Sequence, residues 1–377
     1  NQTYTGAVTL AANTTLSNTS NGNVTFSSTV NGANTLTVNT HGTGDTTISG
    51  ALGASAALTG LTITTDVLSA AALTMASNRA ISVTNSGTSS ISGIIAGTGA
   101  TVTKGGAGTL TLSGANTYTG GTTISSGTLS AASGGASASN LSTGGLTLAG
   151  ATLLNTATSS ISNAITLTTG ANKLAAATTK TATFSGIISG AGTGALVAGD
   201  STSDGVVVFS AANTYTLGTS VSGGTLKLGI SSTGTTASIT NGAVGTGALT
   251  VLSGAALDLN GKTILNALTI SGTGLSLGGA LINSDATNAG TVSNTVAMAA
   301  SSSLGGAGSF TLSSIVSGST FTLTKVGAGT VTLSGINTYS GGTSISGGIL
   351  SIGADNNLGA APGSASASSI TLSGGAL

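Results

Sequence analysis

One short phrase built around tyrosine recurs along this chain and limits its fold more than any other feature. The chain has four tyrosines, and all of them lie in this phrase. It reads Asn-Thr-Tyr at Tyr118, Tyr215 and Tyr339, and Gln-Thr-Tyr at Tyr4. A residue type confined to one repeated phrase indicates an array of related units.

Two copies of the phrase share a longer segment. Residues 104–114, which begin with Lys104, precede Tyr118, and the closely similar residues 325–335, which begin with Lys325, precede Tyr339. The copy between them is looser, because residues 198–205 replace the lysine segment and lengthen it. This swelling predicts a surface loop added to one unit.

The runs inside each unit have the spacing of β-strands. Leu110 and Leu112 alternate with Thr109 and Thr111, which places aliphatic side chains on one face and hydroxyl groups on the other. Glycine pairs and triplets separate the runs, where turns require positive φ. No stretch shows the apolar stripe and end signals of a helix.

These patterns predict an all-β fold, specifically a right-handed parallel β-helix (a β-solenoid) shaped as an elongated rod. A sandwich or barrel gives no reason for one phrase to recur at long range, whereas stacked coils do. With roughly 20 to 25 residues per coil, about 15 to 19 coils at about 4.8 Å each would form a rod on the order of 70 to 90 Å long. We expect residues 1–377 to form a single continuous solenoid of three to four degenerate long repeats.

The segment from Ile91 to Leu129 resembles the autotransporter-associated β-strand repeat, also called the passenger-associated transport repeat. Residues 248–261 resemble the segment that links one such repeat to the next. The resemblance implies a passenger region that crosses a Gram-negative outer membrane through its own C-terminal barrel and folds as a β-helix. It implies an extracellular location at the outer-membrane surface and specifies no ligand.

We expect these 377 residues to be an interior or processed part of a longer polypeptide. The chain begins within a tyrosine phrase and shows no signal peptide or barrel strands, so a membrane barrel would lie outside it. No uninterrupted apolar stretch is long enough for a transmembrane helix. The absence of cysteine fits export through an oxidising periplasm.

Composition limits the chemistry available to the chain. Charged residues form 4% of it and aromatic residues 2%, and seven basic side chains balance seven acidic ones. Without a basic stripe to neutralise phosphates, we expect no nucleic-acid partner. With so few titrating groups, we expect stability to change little between mildly acidic and mildly alkaline pH.

A search for catalytic, cofactor-binding and metal-binding residues predicts none. A Ser-His-Asp triad would need His41, the single histidine, which we interpret as a turn residue. Asp200 and Asp204 flank residues 201–203 in the inserted loop and could share a calcium ion with backbone carbonyls, although a solvated loop is the better interpretation. The remaining aspartates are scattered, whereas a glycan-active β-helix enzyme would cluster its carboxylates.

We interpret the repeated tyrosines and lysines as structural positions. An exposed tyrosine ladder that binds a repeating ligand is the alternative, but tyrosines that cap or fill a corner of each coil, with the hydroxyl outward, fit the repeat better. Lys104 and Lys325 are predicted to be solvent-facing turn residues.

The predicted function is that of a structural and adhesive protein of the bacterial surface, not an enzyme. It would act as a stalk whose Thr/Ser/Asn faces adhere to glycans, to abiotic surfaces or to copies of the chain. The near-zero net charge favours self-association. A subunit of an extracellular filament, sheath or surface layer, joined end to end, is the second hypothesis. A glycan-active β-helix enzyme is the third.

Overall fold

The computed structural model describes residues 1–131, 139–360 and 370–377. The described residues form a parallel β-solenoid of about 16 turns without α-helix. The prediction of an all-β solenoid is confirmed, and the number of turns falls within the predicted range. The chain divides into two compact units, Asn1–Lys173 and Leu174–Leu377.

The first unit consists of short strands, numbered here in chain order. They are β1 Gln2–Tyr4, β2 Val8–Thr9, β3 Thr14–Asn18, β4 Val24–Phe26, β5 Val30–Asn31, β6 Thr35–Thr40, β7 Thr46–Ile48, β8 Gly60–Thr65, β9 Leu68–Ala70, β10 Leu73–Thr74, β11 Ala80–Asn85, β12 Thr88–Ile91, β13 Ile95–Ala96, β14 Thr101–Gly105, β15 Thr109–Leu112, β16 Thr122–Ile124, β17 Thr128–Ala131, β18 Leu146–Leu148, β19 Thr152–Asn155, β20 Ser159–Ile161 and β21 Ile165–Leu167. Strand β22, Asn172–Ala176, contains the boundary between the units.

The second unit continues in the same manner. Its strands are β23 Thr181–Phe184, β24 Ile188–Ser189, β25 Leu196–Ala198, β26 Val206–Phe209, β27 Thr219–Val221, β28 Thr225–Leu228, β29 Thr233–Thr235, β30 Ser238–Asn241, β31 Leu249–Val251, β32 Ala256–Asp258, β33 Thr263–Ile264, β34 Leu268–Gly272, β35 Leu281–Asn283, β36 Gly290–Val292, β37 Val296–Gly306, β38 Phe310–Leu312, β39 Val316–Ser317, β40 Leu323–Lys325, β41 Thr330–Leu333, β42 Thr343–Ile345, β43 Ile349–Ile352 and β44 Ile370–Leu372. Three short 3₁₀ turns lie at Ser139–Leu141, Leu275–Leu277 and Asp355–Leu358.

Parallel strands of successive coils stack into faces in the first unit. One face is formed by β1, β4, β7, β9, β12, β15, β17 and β19. A second is formed by β3, β6, β8, β11, β14, β16, β18 and β21. A third consists of shorter pairs, β2 with β5 and β10 with β13. Hydrogen bonds between coils mostly join residues 19 to 25 apart, so the length of one turn varies along this unit.

The core follows from the alternation of side chains along each strand. On the second face, inward residues stack in register across the coils, as in the column Leu36, Leu61, Ile81 and Val102. Each of these is at most 2% exposed. Burial of one such side chain is worth about 1.5 to 3 kcal/mol, so a narrow aliphatic column can hold the coils together.

The second unit has the same parallel arrangement with two irregular features. Strand β37 pairs through its first half with β39 and through its second half with β35 and β40. It pairs with β34 mainly through its first half and, after a register shift, also through Ser302. Strands β29 and β30 form a largely exposed antiparallel hairpin.

Candidate functional site: the repeat cassette and the threonine column

The tyrosine phrase forms a buried polar cluster, which we call the repeat cassette. Tyr118, Tyr215 and Tyr339 are at most 1% exposed. Each hydroxyl lies within hydrogen-bonding distance of the Oγ1 of the threonine four residues later, at 2.6, 2.6 and 2.8 Å. The prediction that the hydroxyl faces outward is therefore wrong. Burial raises the pKa of all three side chains, so they remain neutral.

The asparagine two residues before each of these tyrosines joins neighbouring coils. The Oδ1 atoms of Asn116, Asn213 and Asn337 each accept a backbone N–H at 2.7 Å, from Ile95, Ile188 and Val316 respectively. Their Nδ2 atoms donate to the backbone carbonyls of Asn140, Ala243 and Asn357. Each side-chain amide thus bonds to backbone groups of the preceding turn and of the following turn. These bonds provide the partners that buried polar groups require.

The residue above each cassette tyrosine has a left-handed backbone. Gly245 and Gly359 have φ values of 64° and 95°, and Ser142 stands at the corresponding position with φ 64°. A Cβ on Gly245 would lie 2.4 Å from the carbonyl oxygen of Tyr215 and 2.9 Å from its ring. The turn therefore closes directly onto the tyrosine of the preceding coil.

Lys104 and Lys325 are buried, so the prediction of solvent-facing lysines is wrong. Both are at most 1% exposed. Lys104 Nζ donates to the carbonyls of Gly105 and Gly106 at 2.6 and 2.9 Å, and to that of Ser126 at 3.4 Å. The lysines are buried because each occupies an inward-facing position in the alternation of its strand, where its aliphatic stem packs in the core.

The two lysines have equivalent surroundings. Lys325 Nζ donates to the carbonyls of Val326, Gly327 and Gly347 at 2.7, 2.9 and 3.1 Å. In both cages the third carbonyl belongs to the next coil. Burial lowers the pKa of each lysine from 10.5 to about 8. The ammonium groups therefore close a turn and join it to the following turn.

The middle copy keeps the tyrosine and loses the lysine. Ala198, buried at the end of β25, pairs with Val221 as Lys104 pairs with Ile124. The following residues form an exposed turn, as predicted for the inserted loop, in which the Asp200 carboxylate accepts from the backbone N–H and the hydroxyl of Thr202. Asp204 is exposed in the same turn.

Tyr4 differs from the other three tyrosines. It lies within strand β1, opposite Phe26, and its half-buried ring stacks on that of Phe26 with centroids 5.0 Å apart. Its hydroxyl donates to Gln2 Oε1 at 3.2 Å. The phrase at Tyr4 therefore resembles the repeat cassette in sequence but not in structure.

The second face of the first unit carries an unbroken row of hydroxyl groups on its outer side. One outward residue from each of eight successive coils stacks in register. We call this row the threonine column: Thr15, Thr37, Thr62, Ser82, Thr103, Thr123, Thr147 and Thr166. All eight are exposed or half-buried, and within the described residues their hydroxyls form no hydrogen bond with another protein group.

The candidates for chemistry are dispersed. His41 is exposed in a turn whose Gly44 N–H donates to the His41 carbonyl, as predicted. Within the described ranges no three His, Cys, Asp or Glu side chains converge on a possible metal position. Asp285 accepts hydrogen bonds from Asn288 and Thr287, which lower its pKa to about 2.

In the second unit, the Asp258 carboxylate lies next to the ammonium group of Lys227. Asp258 is 3% exposed and accepts from the backbone N–H and hydroxyl of Ser284 at 2.9 and 2.6 Å. Lys227 Nζ lies 3.5 Å from Asp258 Oδ2 and donates to Ser284 Oγ at 3.0 Å. These side-chain contacts join three coils. The Asp258 carboxylate already has hydrogen-bond and ionic partners within the protein.

Comparison with known proteins agrees with the repeated geometry. The family model of the passenger-associated-transport-repeat matches residues 102–131, 189–228 and 323–352, each of which contains one cassette tyrosine. The chain is 46% identical over 67 residues to the "Adhesin BmaC autotransporter" of Brucella suis biovar 1 (strain 1330). This similarity covers 18% of the chain and spans 2% of that relative's length. No solved structure matches the chain.

None of the helices in the described ranges is long and apolar enough to cross a membrane.

Proposed function

Because the chain carries three passenger-associated transport repeats of the autotransporter type, we propose that it forms an adhesive, structural β-solenoid on the outside of a bacterial cell. The role is non-enzymatic, and the relevant surface is a repeated face instead of a pocket. The adhesin named among the relatives supports this proposal for the matched segment.

The observation that carries the proposal is the threonine column. Its eight hydroxyls have no protein partner within the described residues and repeat at the coil spacing of about 4.8 Å. A single exposed hydroxyl contributes little to binding, because it exchanges one hydrogen bond with water for another. A rigid row of them contacts a surface at many points at once, so weak contacts add through effective concentration.

The cassette of the first unit would help to keep this row in register. Asn116 joins adjacent turns, and the caged Lys104 closes one turn onto the next. Turns that are fixed in this way hold the strands between them at constant register, which keeps the outward hydroxyls aligned. The buried polar groups would thus contribute to adhesion indirectly, by holding the threonine column in place.

Adhesion to surfaces is testable with purified chain attached to beads. The variant Thr62→Asp/Thr103→Asp/Thr123→Asp places three charges in the column, and the control Thr19→Asp/Thr43→Asp/Thr143→Asp places three charges at exposed positions outside it. We expect the column variant to be retained several-fold less on cellulose and glass under flow, because charged groups hold their water more tightly. Equal retention of the two variants would contradict the proposal.

Self-association into a filament or sheath is a second candidate. It is supported by a formal net charge of zero and by the exposed aliphatic residues Ile315 and Ile336, which are 41% and 64% exposed at stacked outward positions. Low net charge and exposed apolar groups both favour association. Electron microscopy of purified chain tests this candidate, and isolated particles at high concentration would exclude it.

The non-enzymatic assignment has its own test. Incubation with acidic and neutral polysaccharides should release no reducing sugar. Sustained turnover would overturn it.

A further inference from the structure

A shallow trough lies beside the threonine column of the first unit. It has a volume of about 440 Å³ and extends over β6, β8 and β11. Thr37, Thr62 and Ser82 of the column line one side. Gly60 and Ala80 occupy the adjacent outward positions, where the small side chains leave the surface depressed.

Arg79 stands at the edge of this trough without a carboxylate partner. It is the single arginine of the sequence, it is exposed, and within the described residues it makes no ion pair. Its neighbour Asn78 has a left-handed backbone with φ 57°, and its side-chain oxygen lies over Gly99 of the next coil. The turn therefore presents a cation and an amide beside a row of hydroxyls.

We propose that this trough binds a linear polysaccharide that carries carboxylate groups, that is, a polyuronate. A guanidinium group binds a carboxylate through two parallel hydrogen bonds, and these charge-assisted bonds are stronger than neutral ones. The hydroxyls of Thr37, Thr62 and Ser82 follow one another at the coil spacing and exchange hydrogen bonds with sugar hydroxyls along the polymer.

The lining favours a polymer with one carboxylate per sugar unit over a densely sulfated one. Arg79 is the sole charged residue that lines the trough, and no aromatic ring does so. A polyuronate pairs one carboxylate with this cation and keeps free sugar hydroxyls for the threonine column, whereas a densely sulfated chain replaces those hydroxyls with further anions. Without aromatic stacking, each contact is weak, so affinity depends on several sugar units. This inference rests on the proposed adhesive role and names one ligand for it.

The test measures binding of the full chain to immobilised polygalacturonate, with dextran as the neutral polymer and dextran sulfate as the sulfated one. Arg79→Ala should weaken binding to polygalacturonate by about tenfold or more at low salt, as expected for loss of a charged hydrogen bond. Lys180→Ala removes an exposed charge from the second unit and should leave binding unchanged. Added salt should weaken the wild-type chain towards the Arg79→Ala level.

A second pair of variants tests the hydroxyl row. Thr62→Val removes one exposed hydroxyl of the column inside the trough, and Thr143→Val removes one exposed hydroxyl outside both the column and the trough. Only Thr62→Val should weaken binding, and circular dichroism should show both variants folded.

Three results would overturn the inference: equal binding by Arg79→Ala and Lys180→Ala, equal binding of dextran and polygalacturonate, or preferred binding of dextran sulfate. Arg79→Ala beads that still adhere to cellulose would separate this site from the general adhesive role. If polygalacturonate binding depends on Arg79 while adhesion does not depend on the column, the site stands and the proposed function fails.

Discussion

At the scale of single residues, the cassette tyrosines pack a large ring into a core of small side chains. A buried hydroxyl without a partner costs about 1 to 3 kcal/mol, and the threonine four residues later removes this penalty. Thr219 also donates to the carbonyl of Val244 at 3.3 Å, so the pair in the middle copy is connected to the next coil.

Tyr215→Phe should lower the free energy of unfolding by about 1 kcal/mol, because it removes a buried hydrogen bond while keeping the ring. Tyr4→Phe is the matched control, since the Tyr4 hydroxyl is half-buried and bonds to Gln2. We expect little change for the control in urea denaturation. Equal effects of the two substitutions would mean that the buried pair adds no stability.

The caged lysines predict a stability change in alkaline solution. Their pKa is about 8 in the folded chain and near 10.5 in the unfolded chain, so between these values the unfolded chain binds more protons. Raising the pH through this window therefore increases the free energy of unfolding. The cassette tyrosines act in the opposite direction above pH 10, because their pKa is raised by burial. Stability should therefore reach a maximum near pH 9 to 10.

Denaturation at several pH values measures this effect. Lys104→Met/Lys325→Met should abolish the increase above pH 8, and Lys180→Met, at an exposed position, should retain it. A wild-type chain whose stability stays constant from pH 8 to pH 9.5 would show that the three carbonyls around each ammonium restore an ordinary pKa. Below pH 8 the sequence-based expectation of weak pH dependence stays a prediction.

Side-chain direction was harder to predict than repetition. The spacing of Lys104 from Val102 follows the two-residue alternation of β14, so the inward direction was present in the sequence. It was missed because lysine is usually exposed, and only the structure shows carbonyls that accept from its Nζ. The tyrosine hydroxyl was misplaced for a related reason, since its threonine partner lies in the following strand.

At the scale of elements, the turn above each cassette tyrosine restricts what can occupy it. Gly245→Ala should lower the free energy of unfolding by about 2 kcal/mol or more. Two causes act together there: a left-handed backbone, and a methyl group placed 2.4 Å from the carbonyl oxygen of Tyr215.

Gly254→Ala separates these two causes. Gly254 has φ 84°, but an added methyl group would meet no atom within 4 Å. Its substitution should cost about 1 kcal/mol, from backbone strain alone. If both glycine variants lose the same stability in thermal denaturation, contact with the tyrosine contributes nothing.

The strands themselves were predictable, whereas the interruptions between them were not. Alternation at Leu110 and Leu112 identified β15, and the same pattern occurs in the equivalent β41. The hairpin of β29 and β30 contains Thr, Ser and Gly like the surrounding turns, so composition does not distinguish it. The Arg79 trough also escaped sequence analysis, because it depends on which outward residues stand side by side across three coils.

At the scale of the whole molecule, stacked coils transmit order only to their neighbours. The stability of such an array is the sum of the stabilities of single turns and of the contacts between adjacent turns. The cassettes and lysine cages strengthen particular contacts between turns, because their amides and ammonium groups bond to the carbonyls of the next coil. The cooperativity of unfolding between two turns therefore depends on how many such contacts join the turns that lie between them.

Calorimetry tests the prediction that residues 1–377 unfold as one continuous solenoid. Tyr118→Phe weakens a cassette in Asn1–Lys173, and Tyr339→Phe weakens the equivalent cassette in Leu174–Leu377. In a single cooperative array, either substitution lowers one common transition by about 1 to 2 °C, because every turn melts together. Two transitions, each shifted by only one of the substitutions, would contradict the prediction and show that the two units unfold independently. The coupling between adjacent turns would then be too weak to make the whole chain unfold together.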